Sequence, residues 1–508
     1  PRVQPHGTAH RYLEEDEREI IWPQSGTPHT KYKHSLTNDF INNRELEENI
    51  RKYEEAKKNG TSIFLDADQL ADIAEHYYTS GRKDDAMQAI EYAISMFPGS
   101  VLPLCFLARE ALSENDIAKA EKLGMLIDDK QHIEYIFLQA EIMLAKDMCQ
   151  QADNWMEQCY EDTEEAERDG VAIDTAFMFF DYELYDYCEK WLSKCSDKST
   201  VNYRTLQTKL AWIKGNHAEC QQLLNTLIDE NPFCSEYWNN LASSQFLNNE
   251  LTKSIESCEY SLAIEPDNSD ALLLKANCLC ALTNFEEAAH YYKRYAEQNP
   301  SSEIGELFFG ICLSNLGKYE DALLHFSKAL DICPMNSPNL SQLYKEYAYA
   351  LACLQRLDEA LALLDICTSL PDADTSGLLA FRGTCYLIND KIDEADSCFT
   401  KALSTATEEQ IPQIRIEIAT AILDNSSPEW AYEILHEAYN KETSNSLTYG
   451  WGYYALACHE TGHWEEFLYA LEKACTINPT EAQQALGEIF PPGLPVEDYV
   501  SYLKNHPK

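Results

Sequence analysis

Apolar residues along this chain recur every three or four positions in short stretches. The stretches come in pairs joined by a brief polar turn, as amphipathic helices arranged in hairpins would require. Asp270 onward reads DALLLKANCLCALTNFEEAAHYYKRYAEQNP, and Gly305 onward reads GELFFGICLSNLGKYEDALLHFSKALDICP. Laid together, Ala288 matches Ala322 and Pro300 matches Pro334, each pair 34 residues apart. A small residue recurs in the first helix (Ala242, Ala276, Gly310, Ala348, Gly383, Ala419, Ala455), where it lets the two helices of a hairpin approach closely. A second recurs early in the second helix (Ala86, Ala120, Ala152, Ser254, Ala288, Ala322, Ala360, Ala395, Ala431), with Cys188 and Cys220 in its place in two weaker hairpins. A third (Ala93, Ser261, Ala329, Ala402, Ala438, Ala474) lies seven residues on, on nearly the same helix face. Proline then stops many hairpins (Pro98, Pro232, Pro266, Pro300, Pro334, Pro479), because it cannot continue the helical hydrogen-bond ladder. Gly81, Gly215, Gly317 and Gly462 mark turns inside hairpins. This register predicts hairpins beginning near residues 67, 101, 133, 169, 201, 235, 269, 303, 341, 376, 412 and 448, with insertions at Glu161–Gly170 and Met335–Ser341.

A repeat of this length and residue order resembles the tetratricopeptide repeat (TPR), over residues 67 to 480. The resemblance implies an all-α fold, a right-handed superhelical solenoid of about twelve helix-turn-helix hairpins, since one hairpin cannot bury its apolar face alone. The segment SIFLDADQLADIAEHYYTSGRKDDAMQAIEYAISMFPGS is also similar to the long cytosolic TPR proteins frequent in the Bacteroidetes group. Ahead of the solenoid, residues 1–42 are polar, with the acidic run Glu14–Glu19 and one apolar spot at Trp22. They are expected to form an extended or partly disordered arm. Residues 43–66 carry a charged lead-in helix, NRELEENIRKYEEAKKN, with Glu-to-Lys and Glu-to-Arg pairs three or four apart. Residues 481–508 are expected to supply a capping helix (EAQQALGEIF) and a tail begun by prolines.

Composition narrows the function. Lys and Arg total 40 against 85 Asp and Glu, a formal net charge of -45. Such a field repels nucleic-acid backbones and anionic membrane surfaces and favours a basic protein segment as partner. The 18 cysteines lie mostly in helical apolar patterns. In a chain long enough to need no staples, they predict free thiols in a reducing compartment. Pro1 to Ile20 lacks the apolar core of a signal peptide, and no run approaches a membrane span, so cytoplasmic residence is expected.

One motif offers chemistry. His459-Glu460-Thr461-Gly462-His463 is a literal H-E-x-x-H, which in a zinc hydrolase sets two imidazoles one turn apart on a continuous helix. The repeat register places Gly462 and His463 at the turn of the last hairpin, which breaks that geometry. Cys278 with Cys280, and His217 with Cys220, match apolar or small repeat positions and predict buried thiols rather than metal ligands. The sequons at Asn59 and Asn425 matter only on a secretory route. No phosphate loop or nucleophile elbow is present. No catalytic residue, cofactor or metal is therefore predicted.

In TPR proteins the first helices line a concave groove that takes peptides or partner helices. The resemblance thus implies a non-enzymatic scaffold or adaptor. Lys209, Asn239 and Asn277 fall at inward positions of hairpins five to seven, without the paired basic residues of a carboxylate clamp. Phe177, Phe180, Trp212, Lys345 and Tyr349 complete the groove candidates, as aromatic and cationic contacts. The alternatives are a metal-dependent hydrolase using the HETGH segment, or a regulatory subunit whose partner carries the catalysis.

Overall fold

The computed structural model describes residues 43–59, 61, 64–371, 373–425, 427–439, 447, 449–491 and 493–506. The expected arm, including Glu14–Glu19 and Trp22, lies outside them. A helix at Asn43–Asn59 precedes twelve helix pairs. Hairpins 1 to 6 are Ala67–Thr79 with Lys83–Met96, Val101–Ser113 with Ile117–Met125, Ile133–Leu144 with Cys149–Asp162, Arg168–Asp181 with Tyr185–Leu192, Val201–Ile213 with His217–Glu230, and Ser235–Leu247 with Leu251–Ile264. Hairpins 7 to 12 are Ser269–Ala281 with Phe285–Gln298, Glu303–Asn315 with Tyr319–Ile332, Leu340–Cys353 with Leu357–Thr368, Thr375–Ile388 with Ile392–Thr405, Ile411–Asp424 with Pro428–Tyr439, and Trp451–Thr461 with Trp464–Ile477. Two short helices, Pro479–Leu486 and Tyr499–Asn505, follow.

Eleven hairpins begin within one residue of the positions the repeat predicts, so the chain is an all-α helical-repeat solenoid. The twelfth begins at Trp451 rather than 448, because Gly450 ahead of it sits in the left-handed region at φ 85°. The chain divides into two compact units, one ending at Ser244 and the other beginning at Gln245. First helices pack on the next first helix as well as on their own second helix from Ala67–Thr79 to Ile133–Leu144, between Arg168–Asp181 and Val201–Ile213, and from Glu303–Asn315 to Trp451–Thr461. Among the described residues, second helices make no comparable contacts with one another, so each unit turns its first helices to the tighter, inner side.

The predicted small residues are where the helices meet. Ala86, Ala120, Ala152, Ser254, Ala288, Ala322, Ala360, Ala395 and Ala431 are all at 0% exposure, and so are Cys188 and Cys220. The two weaker hairpins therefore keep the packing position and fill it with a thiol. Sixteen residues after the first-helix small residue comes a buried bulky one: Phe326 after Gly310, Phe399 after Gly383, Leu364 after Ala348, Leu435 after Ala419 and Leu471 after Ala455. In these five hairpins glycine goes with phenylalanine and alanine with leucine, whereas Ala276 is followed at the same spacing by buried Tyr292 and Ala242 by buried Cys258. A Cβ built on Gly310 would lie 2.5 Å from Phe326 Cε1, and one on Gly383 would lie 2.3 Å from Phe399 Cε1. The ring occupies the space that a methyl group would need.

Turns inside the hairpins share one geometry. The middle residue has positive φ at Gly81, Gly215, Gly317 and Gly462, but also at Asn115, Asp147, Glu183, Asn249, Thr283, Gln355 and Asp390. A left-handed residue there lets the following N–H reach back five positions, as from Asn284 to the Leu279 carbonyl at 2.8 Å and from Lys318 to Leu313 at 2.9 Å. Ends of the array are pinned by polar contacts. At one end Tyr77 donates to Glu54 of the lead helix at 3.1 Å. At the other, Glu481 accepts the backbone N–H groups of Gly450 and Gly452, each at 2.7 Å.

Gly310→Ala is expected to destabilise hairpin 8 by about 1–3 kcal/mol through overpacking. Adding Phe326→Leu should restore much of that loss. Hydrogen exchange of residues 303–332 in both variants checks it, and additive effects would show that the two positions are not coupled.

Candidate functional site

The residue immediately after the first-helix small position defines a row on the inner side. In the unit ending at Ser244 this row reads Glu75, Arg109, Glu141, Phe177, Lys209 and Ser243, each following a buried small residue (Ala74, Ala108, Ala140, Ala176, Thr208, Ala242). Phe180 and Trp212, three residues farther along, share the face of Phe177 and Lys209. In the unit beginning at Gln245 the same row reads Asn277, Ile311, Tyr349, Thr384, Thr420 and Leu456. All its charge is therefore in the first unit.

Four candidates from the sequence lie on this part of the row or one turn along it. Phe177, Phe180, Lys209 and Trp212 are partly exposed, and the Lys209 ammonium lies 5.8 Å from the centre of the Phe180 ring. Phe180 also meets Tyr185 edge-on at 5.6 Å, and Trp212 meets His217 edge-on at 5.9 Å. These contacts fix the ring orientations while leaving part of each ring open to a partner. The other four candidates are not gathered with them. Asn239 is buried in its hairpin. In the second unit Asn277 is buried and its side-chain oxygen accepts the Tyr292 hydroxyl at 2.7 Å. Tyr349 is buried against Tyr319, ring centres 6.5 Å apart, and burial holds its hydroxyl far above the ordinary tyrosine range. Lys345, one turn before it, is partly exposed.

Sequence reading missed the charged part of the row. Arg109 Nη1 donates to Glu134 at 2.9 Å, and its Nε donates to both oxygens of Glu141 at 3.0 and 3.2 Å. Glu134 and Glu141 are only 8% and 7% exposed. Burial works against the guanidinium charge, but Glu141 and Glu134 outweigh it and hold Arg109 well above its usual range. Nη2 is shielded and has no acceptor among the described residues. Burial pushes the neighbouring Cys105 thiol up to about 12, so it stays protonated at neutral pH. Tyr182, just beyond the Phe180 helix, donates to the Glu141 backbone oxygen at 3.2 Å and ties the ion triad to hairpin 4. The signal was available: Arg109 and Glu141 hold the same repeat position as Phe177 and Lys209.

The HETGH segment is split between elements. His459 lies in the helix Trp451–Thr461, Gly462 ends it at φ 78°, and His463 precedes the next helix. His459 turns edge-on to Trp464 at 5.4 Å, while His463 stacks on Tyr432 at 4.0 Å. The two imidazoles therefore do not share a helix face. Among the described residues no three His, Cys, Asp or Glu side chains group as a metal site, and no helix is long and apolar enough to cross a membrane. Cys220, Cys278 and Cys280 are buried. Beside His463, Glu466 accepts the hydroxyls of Tyr454 at 2.7 Å and Tyr432 at 2.9 Å, and His436 Nδ1 lies 3.3 Å away.

Comparison with known proteins gives two family matches. Residues 207–269 match a tetratricopeptide-repeat model, and residues 247–329 match the model of anaphase-promoting complex (cyclosome) subunit 3. No curated protein matches the sequence. Among solved structures, a tetratricopeptide-repeat protein from Parabacteroides merdae ATCC 43184 is 18% identical over 52% of this chain and 99% of its own, with a TM-score of 0.39. YrrB, described as a TPR protein with an unusual peptide-binding site, is 17% identical over 37% of this chain and 95% of its own, with a TM-score of 0.31. MamA from Desulfovibrio magneticus RS-1 is 11% identical over 34% of this chain and 94% of its own, with a TM-score of 0.32.

Truncating Arg109→Ala is expected to destabilise the first unit by about 3–5 kcal/mol, because two buried carboxylates lose their shared cation. Denaturant unfolding followed by hydrogen exchange of residues 101–144 measures it. Glu466 gives a pH signature. Burial opposes its ionisation, but the Tyr454 and Tyr432 hydroxyls and the nearby histidines outweigh that and lower its folded pKa below the usual 4.5. Its contribution to stability is then present above about pH 5 and lost as pH falls through the lowered value. Thermal melts of wild type and Glu466→Gln should differ at neutral pH and converge as pH falls below the ordinary glutamate range.

Proposed function

We propose that this chain, a tetratricopeptide-repeat protein, is a non-catalytic scaffold or adaptor. In this reading it holds an extended protein or peptide segment against the first-helix face of hairpins 2 to 5. The observation that carries the reading is the half-open set Phe177, Phe180, Lys209 and Trp212, arranged with one cation over one ring. Aromatic side chains fixed by their neighbours lose little freedom on binding and bury large area, which suits them to anchoring a partner. A strongly acidic chain favours a basic segment as occupant, and repels nucleic acid and anionic membrane. Cytoplasmic residence fits the eighteen free thiols.

A second reading concerns the other unit. Its match to a subunit of a large assembly over residues 247–329 favours a role as one part of a complex, with any catalysis carried by a partner. The row there is uncharged and largely buried, so such a contact would use other surfaces of hairpins 6 to 8.

Affinity capture from source-cell extract separates these readings. Wild type is expected to retain a protein that a Phe180→Ala/Trp212→Ala variant loses while its circular dichroism stays unchanged. Retention by both forms would move the contact off this face and favour the second reading, and capture of nothing by wild type would remove the adaptor reading.

A further inference from the structure

Resting on the docking face proposed above, we infer that the Arg109–Glu134–Glu141 triad is its charge selector, admitting segments that carry lysine or arginine and turning away acidic ones. Two carboxylates surround one guanidinium, so the triad holds one net negative charge. Both acidic side chains are about nine-tenths buried, in surroundings that screen charge far less than water does. The guanidinium is committed. Nη1 is held by Glu134 and Nε by Glu141, and turning toward an incoming carboxylate would leave a buried acid without its cation.

The next cation along the row is engaged as well, since Lys209 faces the Phe180 ring. Tyr182 fixes the spacing between the two features by joining the Glu141 backbone to the end of the Phe180 helix. A partner segment laid along this row thus meets excess negative charge at hairpins 2 and 3, then aromatic faces at hairpins 4 and 5. Its complement is an extended segment with a basic residue a few positions from an aromatic or branched apolar one. The basic group gains from the triad's field and from the ring faces beside it. An acidic segment finds no uncommitted cation in the row. The second unit, whose row is Asn277, Ile311, Tyr349, Thr384, Thr420 and Leu456, has no counterpart to this selector.

Two fluorescein-labelled peptides alternating Trp and Leu with Lys in one case and with Glu in the other provide the test, by anisotropy on the full chain. Wild type should bind the Lys peptide at least about tenfold more tightly, a preference that added salt reduces. Glu134→Gln and Glu141→Gln, each leaving Arg109 one carboxylate, should bring the two peptides close to parity. Glu256→Gln removes the same charge from an exposed second-helix position and should leave the preference intact, which separates the triad from the overall acidic field. Equal binding of both peptides to wild type, or an equal loss of preference in Glu256→Gln, would overturn the selector while leaving the docking face in place. Binding of neither peptide would count against the docking face itself. Should one triad variant unfold, the other, measured beside Glu256→Gln, still decides the point.

Discussion

The close approach of the two helices in each hairpin is the constraint on which the rest depends. In hairpins 8 to 12 it is set by a pair of positions sixteen residues apart, one small and one large, that exchange volume. Where the first is Gly310 or Gly383 the second is Phe, and where it is Ala348, Ala419 or Ala455 the second is Leu. Interiors packed to crystal density tolerate exchange of volume across a contact better than net gain or loss. Hairpins 8 to 12 can therefore change at both positions together while their helices stay close, whereas Ala276 with Tyr292 and Ala242 with Cys258 keep the spacing without that exchange.

Much of the fold was legible because this packing rule leaves small residues at regular intervals. The register placed eleven hairpins to within a residue from alanine, glycine and proline alone. It was less informative about the turns. Four glycines announced themselves, but seven other turns adopt the same left-handed conformation with Asn115, Asp147, Glu183, Asn249, Thr283, Gln355 or Asp390. Left-handed backbone is disfavoured for residues with a Cβ, by roughly 1–2 kcal/mol. At these turns it persists because the five-position return bond and the packed helices on either side determine it together. Thr283, β-branched, is the clearest case of tertiary structure overriding local preference.

The candidate site was half legible, for a related reason. Phe177, Phe180, Lys209 and Trp212 stand out by residue type at inward positions. Asn277 and Tyr349 look the same by register, yet the structure buries them against Tyr292 and Tyr319. Register gives a direction, whereas exposure depends on how bulky the neighbouring hairpin is at that point. Arg109 escaped notice because its meaning comes from Glu134 and Glu141, 25 and 32 residues away, and only stacking brings the three together.

These two facts bear on how such a chain can acquire a partner. Packing positions and row positions are adjacent in sequence, Ala108 beside Arg109 and Ala176 beside Phe177, but they face different neighbours. The first kind is tied to volume and cannot change alone. The second is bounded only by the requirement that buried charges stay compensated, which the triad meets within one pair of hairpins and without reaching the core. Recognition can consequently be rewritten hairpin by hairpin at constant architecture. A unit whose row runs Asn277, Ile311, Tyr349, Thr384, Thr420 and Leu456 has instead buried four of the six, leaving Thr384 and Leu456 partly exposed. The two units share one fold, and the difference between them lies in whether the row closes the stack or remains open to a partner.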